Sequence, residues 1–219
     1  MGARLRREQE RQARWEQIVD AARKVFSQKG FYRATIEDIE RESRLTRGAI
    51  YYHFHSKEEI YISILVRGMR ILRDELKVVI RDSDLDPEAL ILNLVDTYCD
   101  FCKHHHEYFR ILDHFYSGWD CEEGLRAELV EEVNRLIYEC LAEVVEVMNR
   151  GIQVGNFHVE NPLLEAVLMW SMIGNALRKT TENPRALFLG IDWNTMQDGL
   201  RRNIIGRLRG VPRGVPVDE

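Results

Sequence analysis

The sequence predicts an all-α protein of about nine helices. Apolar side chains recur at spacings of three and four residues through most of the 219-residue chain, as they do on one face of a helix. Capping and turn-forming pairs such as Asn161-Pro162 and Asn183-Pro184 separate these periodic stretches. No stretch of useful length alternates apolar and polar residues as a half-buried strand would. We therefore predict a small N-terminal head of three helices followed by a longer helical body.

Three short helices are predicted in the head. From Trp15 to Phe26 the apolar residues form a helical stripe, and Gly30 ends it in a C-cap position. Thr35 and Asp38 form a variant of the capping box and begin the second helix. A tight turn then leads to a third helix over residues 46–54. This order is the outline of a helix-turn-helix unit.

The third helix has two different faces. Residues 46–54 read Thr-Arg-Gly-Ala-Ile-Tyr-Tyr-His-Phe, and Ile50 and Phe54 share an inward face because they lie four residues apart. The outward face carries a guanidinium, two hydroxyls and one position without a side chain: Arg47, Gly48, Tyr51 and Tyr52. Such a face suits the groove of a polyanion.

The helices of the body follow from similar signals. Ser56-Lys57-Glu58-Glu59 reads as a full capping box, which opens a fourth helix over residues 57–81. Asp86-Pro87-Glu88 places proline at the first position of a fifth helix. Further helices are predicted over about residues 107–117, 123–154, 163–179 and 193–208.

Charge is divided unevenly along the chain. Residues 1–57 hold 13 Lys or Arg and 8 Asp or Glu, a net charge of +5, whereas the remainder carries −10. A basic head on an acidic body is typical of a nucleic-acid binder with a separate sensing or assembly region. We predict a DNA-binding domain at 1–56, with a flexible arm at 1–12. A ligand-binding and dimerisation domain follows at 57–209, with a flexible tail at 210–219.

Several other classes of protein are excluded. No run of about 18 apolar residues predicts a membrane span, and the N-terminus lacks the apolar centre of a signal peptide. Four scattered cysteines are too few for a secreted disulfide framework, so we expect a cytoplasmic protein. Gly-x-Ser-x-Gly, a Gly-rich phosphate loop and His-Glu-x-x-His are all missing. The prediction is a protein that is not an enzyme and needs no cofactor.

Residues 30–61 carry a resemblance to a known family. They begin Gly-Phe-Tyr-Arg-Ala-Thr-Ile-Glu-Asp-Ile and end Leu-Thr-Arg-Gly-Ala-Ile-Tyr-Tyr-His-Phe-His-Ser-Lys-Glu-Glu-Ile-Tyr. This resembles the DNA-binding head of TetR-family transcriptional regulators over about residues 13–65, and only the architecture is similar afterwards. The resemblance implies a homodimer, most often a repressor, that binds a palindromic operator. It also implies that a small effector bound in the body changes the spacing of the two heads.

The resemblance implies roles for single residues as well. Thr35 and Lys57 fall where the family holds phosphates, at helix N-termini that favour anions. Arg47 falls at a base-reading position, where arginine suits guanine. The other expected DNA contacts are Thr46, Gly48, Tyr51, Tyr52 and His53. Two residues depart from the family pattern. Arg44 replaces a turn glycine, at about 1 kcal/mol if its φ is positive, and Glu40 replaces a small alanine.

Two residue sets are predicted in the body. Helices 163–179 and 193–208 are expected to form a four-helix dimer interface, unless the first is an internal core helix of a monomer. The interface residues are Trp170, Ile173, Gly174, Leu177, Trp193, Leu200, Ile204 and Leu208. Large side chains predict a largely apolar effector site, unless they are plain core. These are Tyr98, Phe101, Phe115, Trp119, Tyr138, Met148 and Trp170.

A metal site is a weaker hypothesis. Cys99, Cys102 and His106 lie on one helical face, at i, i+3 and i+7, where zinc could bind. Asp113, His114 or Cys121 would complete the ligand set. The same stripe includes apolar neighbours, so the cysteines are equally explained as small buried hydrophobes. A metal sensor is thus one alternative to the effector-released repressor. Another is an all-α protein-interaction or small-molecule-binding module that binds no operator.

Overall fold

The computed structural model describes residues 2–81, 85–116, 125–181 and 192–210. Within these ranges the chain forms nine α-helices and no strand, which confirms the predicted fold class. The helices are α1 Gly2–Arg33, α2 Ile36–Ser43, α3 Arg47–His53, α4 Lys57–Ile80, α5 Pro87–His104, α6 His106–Tyr116, α7 Ala127–Gln153, α8 Pro162–Thr181 and α9 Trp193–Arg209. No helix in these ranges is long and apolar enough to cross a membrane.

Helix α1 is longer than the sequence pattern indicates. Residues 2–12, which we expected to form a frayed arm or an extension of the helix, continue the helix, and the side chains of residues 4–14 are exposed. Gly30 interrupts the helix at the predicted C-cap, because its φ of 73° and ψ of 166° are not helical. One further turn follows, in which the Ala34 N–H donates to the Gly30 carbonyl at 3.2 Å.

The chain divides into two compact units. The head unit comprises Met1–Arg70 and His105–Leu136, and the body unit comprises Ile71–His104 and Ile137–Glu219. Helices α4 and α7 therefore each contribute residues to both units. The division differs from the predicted boundary at residue 56 because α6 and the start of α7 belong with the three N-terminal helices.

Apolar side chains from several helices form the core of the head unit. Ile18 and Ala22 of α1, Ile39 of α2, Ile50 of α3 and Ile60 of α4 are fully buried. Helices α1 and α2 pack together, as do α2 and α3. Burying the inward face of a short helix supplies stability that its own hydrogen bonds cannot provide. The core thereby fixes which face of α3 remains outside.

Helix α6 is joined to the head unit by an aromatic cluster. Phe31 of α1 lies 4.8 Å from Tyr61 of α4 between ring centroids, and Tyr61 lies 5.8 Å from His114 of α6. A Cβ atom at Gly68 of α4 would lie 2.5 Å from the ring of Tyr108, so only glycine permits this approach of α4 and α6. These contacts place α6 in the head unit.

The body unit is built on α5, α8 and α9, which pack against one another. Asp96 of α5 accepts a hydrogen bond from Gln197 of α9 at 2.8 Å and forms an ion pair with Arg201. The N–H of His158 donates to the Leu208 carbonyl at 2.7 Å. Apolar residues that all three helices bury form the core: Leu90, Ile91, Leu94, Met169, Ile173, Leu200, Ile204 and Leu208.

Candidate nucleic-acid interface

Helix α2 begins at the predicted capping box. The Thr35 hydroxyl accepts a hydrogen bond from the Asp38 N–H at 3.2 Å, and the Asp38 carboxylate accepts from the Thr35 N–H at 3.2 Å. The same carboxylate receives the Lys29 ammonium of α1 at 2.6 Å. Hydrogen bonds from Lys29 and then from Thr35 lower the pKa of Asp38 to about 2. The carboxylate is therefore ionised at neutral pH and ties α2 to α1.

The turn between α2 and α3 rests on a strained residue. Arg44 has φ 56° and ψ 29°, the left-handed conformation that glycine adopts at least cost, so the condition for strain at this position is met. The Ser43 hydroxyl accepts from the Leu45 N–H at 3.3 Å. The Gln17 amide of α1 donates to the Ser43 carbonyl at 2.8 Å. The surrounding contacts thus hold the turn despite the strain.

Helix α3 is capped and anchored as its sequence predicts. The Thr46 hydroxyl accepts from the Ala49 N–H at 3.3 Å, which satisfies one free donor at the helix start. Ile50 and Phe54 point inward and are 0% and 1% exposed. The ring of Trp15 lies 6.2 Å from that of Phe54. A helix of only seven residues is therefore fixed at its start and along its inner face.

The outer face of α3 is open and polar. Tyr52 is 76% exposed, Tyr51 is 42% exposed, and no atom lies within 4 Å of where a Cβ at Gly48 would stand. The Arg47 guanidinium lies 5.7 Å from the Tyr51 ring centroid and donates to the Glu37 carboxylate at 2.8 Å. Exposed ion pairs of this kind are weak. A phosphate or a base edge can therefore replace Glu37 as the partner of Arg47.

Lys57 and Thr35, the two expected phosphate contacts, already have partners inside the head. The Lys57 ammonium donates to the carbonyls of Phe31 and Ala34 at 3.0 and 3.1 Å and lies 4.4 Å from the Phe31 ring centroid. These two bonds use two of its three N–H donors. The Thr35 hydroxyl donates to Asp38 at 3.0 Å. In this structure both residues therefore have a structural role, since Thr35 caps α2 and Lys57 joins the start of α4 to the end of α1.

An open groove of about 600 Å³ lies between α1 and α3. Three arginines and two glutamates line its α1 side, and Ala49, Tyr52 and His53 line its α3 side. Burial lowers the pKa of His53, and the charges of Arg11 and Arg14 lower it further. This groove was missed from the sequence, although the spacing of the arginines along α1 carries the signal for it.

Comparison with known proteins identifies the head. Residues 18–64 match the family described as bacterial regulatory proteins, tetR family. Over 154 residues the chain is 29% identical to the transcriptional repressor NicS of Pseudomonas putida, and these residues make up 70% of each protein. Over 51 residues it is 49% identical to the A-factor receptor protein of Streptomyces griseus, which is 23% of this chain and only 18% of that one. The N-terminal head of the chain is a TetR-family DNA-binding domain.

Solved structures extend the likeness in fold to the body of the chain. FadR of Bacillus subtilis, solved in complex with stearoyl-CoA, gives a TM-score of 0.69 at 16% identity and covers 88% of this chain and 98% of its own. PfmR of Thermus thermophilus, a TetR-family regulator, gives 0.65 at 20% identity, with 90% and 99% covered. Identities this low establish a shared fold. Regulators of this family are not enzymes, in agreement with the sequence prediction.

The residues predicted to form the effector site have different surroundings. Tyr98, Phe101 and Met148 are buried, and Trp170 is half-buried and donates its indole N–H to the Tyr98 hydroxyl at 2.9 Å. Phe115 is half-buried on α6 of the head unit. Tyr138 is exposed and lines an open groove with neighbours on α7 and α8. Trp119 lies outside the described residues.

The two cysteines of α5 are buried, which disfavours their thiolate forms. Burial raises the pKa of Cys99 to about 12 and that of Cys102 further, so neither is a thiolate at neutral pH. Within the described ranges no group of three or more metal-ligating side chains comes together around Cys99, Cys102 and His106. Cys121 and the side chain of Asp113 lie outside those ranges. The candidate metal site therefore gains no support from geometry.

The residues of the predicted dimer interface differ in exposure, and the interface stays a prediction. Five of them are buried within the protomer: Ile173, Leu177, Leu200, Ile204 and Leu208. Trp170, Gly174 and Trp193 are half-buried. The exposed apolar residues of α8 are instead Leu163, Leu164 and Leu168. Helix α8 is apolar on almost all sides, so its sequence alone did not indicate which side faces outward.

Proposed function

We propose that the chain is a dimeric repressor that binds a palindromic operator through α3 and is released by a small, largely apolar effector. The observation that carries this proposal is the geometry of α3. Its N-terminus is capped by Thr46, its inner face is fixed by Ile50 and Phe54, and its outer face is exposed and polar. A short rigid helix with such a face fits the major groove of a duplex. Such a repressor acts in the cytoplasm, where bacterial DNA lies.

Each polar residue of the interface receives a role in this proposal. Arg47 exchanges Glu37 for a guanine edge, and Gly48 leaves room for the duplex to approach. Tyr51, Tyr52 and His53 contact phosphates and thymine methyl groups. The remaining contacts are to phosphates, from residues at helix N-termini where anions are favoured: Thr35, Thr46 and Lys57.

The second copy that a palindromic operator requires packs on the outer face of α8. Leu164 and Leu168 are 53% and 41% exposed, and with Ser171 and Asn175 they follow one helical face at i, i+4, i+7 and i+11. Two such faces related by a two-fold axis would bury both leucine pairs. The two α3 helices then reach half-sites about one helical turn of DNA apart.

The effector is expected to act through a shift in population. The effector binds preferentially to the conformation of the dimer in which the spacing of the two heads does not fit the operator. It thereby lowers the fraction of dimers that can bind DNA. Helix α4 belongs to the head unit up to Arg70 and to the body unit from Ile71, so it is the natural lever. Support for an apolar effector comes from FadR of Bacillus subtilis, which shares the fold and was solved with stearoyl-CoA.

The test is selection of a duplex from a random-sequence library, followed by affinity measurements with all single-base variants. We expect R47A to relax the preference at one position per half-site by about 1–3 kcal/mol. The matched control R33A removes an exposed arginine of the head outside α3 and is expected to leave base preferences unchanged. Equal loss of affinity for every duplex would make Arg47 a phosphate anchor. If the wild-type protein selects no duplex, the proposed function fails and the interaction module is favoured.

A further inference from the structure

Four arginines form a stripe along the first turns of α1. Arg4, Arg7, Arg11 and Arg14 lie at i, i+3, i+7 and i+10 and so share one face of the helix. That face continues into the buried positions of the same helix, Ile18, Ala21, Ala22 and Val25. One helix face is thus apolar where it packs on the head and basic where it extends beyond it. The stripe is therefore turned to the same side as α2 and α3.

The stripe meets the DNA-reading helix at the groove described above. Arg7, Arg11 and Arg14 line one wall, and Tyr52 and His53 line the other. Glu8 and Glu10 also line the α1 wall, which keeps a net positive charge of one. Both walls lie in the head unit. A positively charged cleft beside an exposed tyrosine is a suitable site for backbone phosphates.

The arginines are poorly neutralised by the protein itself. Arg11 pairs with Glu8 at 2.5 Å, and Glu10 pairs with Arg6, which lies off the stripe, at 3.0 Å. Arg7 and Arg14 form no ion pair with any of the residues that the structure describes. The first turn of α1 also contains no acidic residue, so the positive end of the helix dipole faces arginines rather than carboxylates. An anion bound at this site would pair with the arginines and would also interact favourably with the positive end of the helix dipole.

We propose that this arginine stripe is a second DNA-binding element, which holds backbone phosphates beside the base pairs that α3 reads. The proposal rests on the proposed function of the head and adds residues that the family resemblance did not assign. Arg7, Arg11 and Arg14 supply the charge, and Tyr52 and His53 close the opposite wall. Because phosphates alone are contacted, the stripe adds affinity and salt dependence without adding base preference.

The experiment measures binding of a fluorescent 40-base-pair duplex of random sequence by anisotropy, over a range of salt concentrations. The triple variant R7Q/R11Q/R14Q removes the three arginines that line the groove. The control R33Q/R81Q/R202Q removes three exposed arginines outside the stripe and matches the change in net charge. A third variant, R7K/R11K/R14K, keeps the positive charges. Circular dichroism verifies that each variant is folded, which is expected because glutamine and lysine are good helix formers.

The slope of log affinity against log salt is expected to fall in magnitude by about two to three for R7Q/R11Q/R14Q, since each phosphate contact contributes about 0.9. The lysine variant is expected to keep the wild-type slope, and so is the charge-matched control. Equal slopes for the glutamine variant and its control would overturn the stripe while leaving the proposed function intact. Failure of the wild-type protein to bind duplex in a salt-dependent way would contradict the proposed function as well.

Discussion

Tyr52 of α3 and Tyr98 of α5 are the same residue type in opposite surroundings. Tyr52 is 76% exposed on a polar helix face, beside arginines that it does not neutralise. Tyr98 is buried, accepts the Trp170 indole N–H at 2.9 Å, and has its pKa raised by burial. On α3, the cluster of Tyr52 and the neighbouring polar side chains is exposed to a partner. On α5, the cluster of Tyr98 and the two cysteines is buried, and its tyrosine hydroxyl is hydrogen-bonded to Trp170 within the body unit. Residue type and spacing made both clusters candidates, and exposure separates them.

The largest expected effect is on stability at the buried cluster. Y98A removes a buried ring and the acceptor of the Trp170 N–H, so the free energy of unfolding should fall by about 3–5 kcal/mol. The matched Y52A substitution should change it by no more than about 0.5 kcal/mol, because Tyr52 is exposed. Urea unfolding at one protein concentration gives both values, and anisotropy gives duplex affinity. Similar destabilisation by the two variants would remove the distinction between the clusters.

The second effect concerns the thiols of the buried cluster. With the pKa of Cys99 raised to about 12 by burial, its thiolate at pH 8 should be about a thousand-fold scarcer than that of an ordinary cysteine. Alkylation of Cys99 by iodoacetamide should therefore be about a thousand-fold slower in the native protein than in urea. Because the thiol loses its proton only as pH approaches the raised pKa, the native rate should increase about tenfold per pH unit. Mass spectrometry measures the rate at each cysteine, and rapid native labelling of Cys99 would revive the metal or redox hypothesis.

The smallest effect is expected at the turn before α3. R44G should raise the free energy of unfolding by about 1 kcal/mol, because glycine adopts the positive φ of this position without strain. R44A is the matched control, since it removes the guanidinium but keeps a Cβ atom in the left-handed conformation. Thermal unfolding of the two variants compares them directly. Equal stability of R44G and R44A would show that the backbone at residue 44 carries no strain.

The parts of the fold that depend on local chemistry were predictable from the sequence. The cap at Thr35 and the break at Gly30 each follow from one residue and its near neighbours. The inward positions of Ile50 and Phe54 followed from their spacing. These features also specify the outer face of α3, which is why the candidate interface could be located before the structure was known.

Features that depend on distant contacts were not predictable in the same way. The side chain of Lys57 reaches carbonyls more than twenty residues earlier, and no local pattern indicates such a partner. Ser56 caps α4 through the Glu59 N–H at 3.1 Å, as predicted, but the Glu59 carboxylate also reaches the His55 N–H and the distant Arg126, which no capping pattern indicates. The charged start of α1 suggested fraying, although arginine and glutamate are good helix formers.

The membership of α6 in the head unit has a consequence for the exchange of DNA specificity between regulators. A chimera that joins residues 1–56 to the body of a relative would separate Phe31 from Tyr61 and His114, and Arg23 from Glu107, with which it pairs at 2.5 Å. The transferred recognition helix would then belong to a head whose packing partners on α4 and α6 come from a different protein. Grafting only the exposed residues of α3 leaves those contacts intact. For this protein, a new operator preference is better introduced by substituting exposed residues of α3 than by exchanging the whole N-terminal domain.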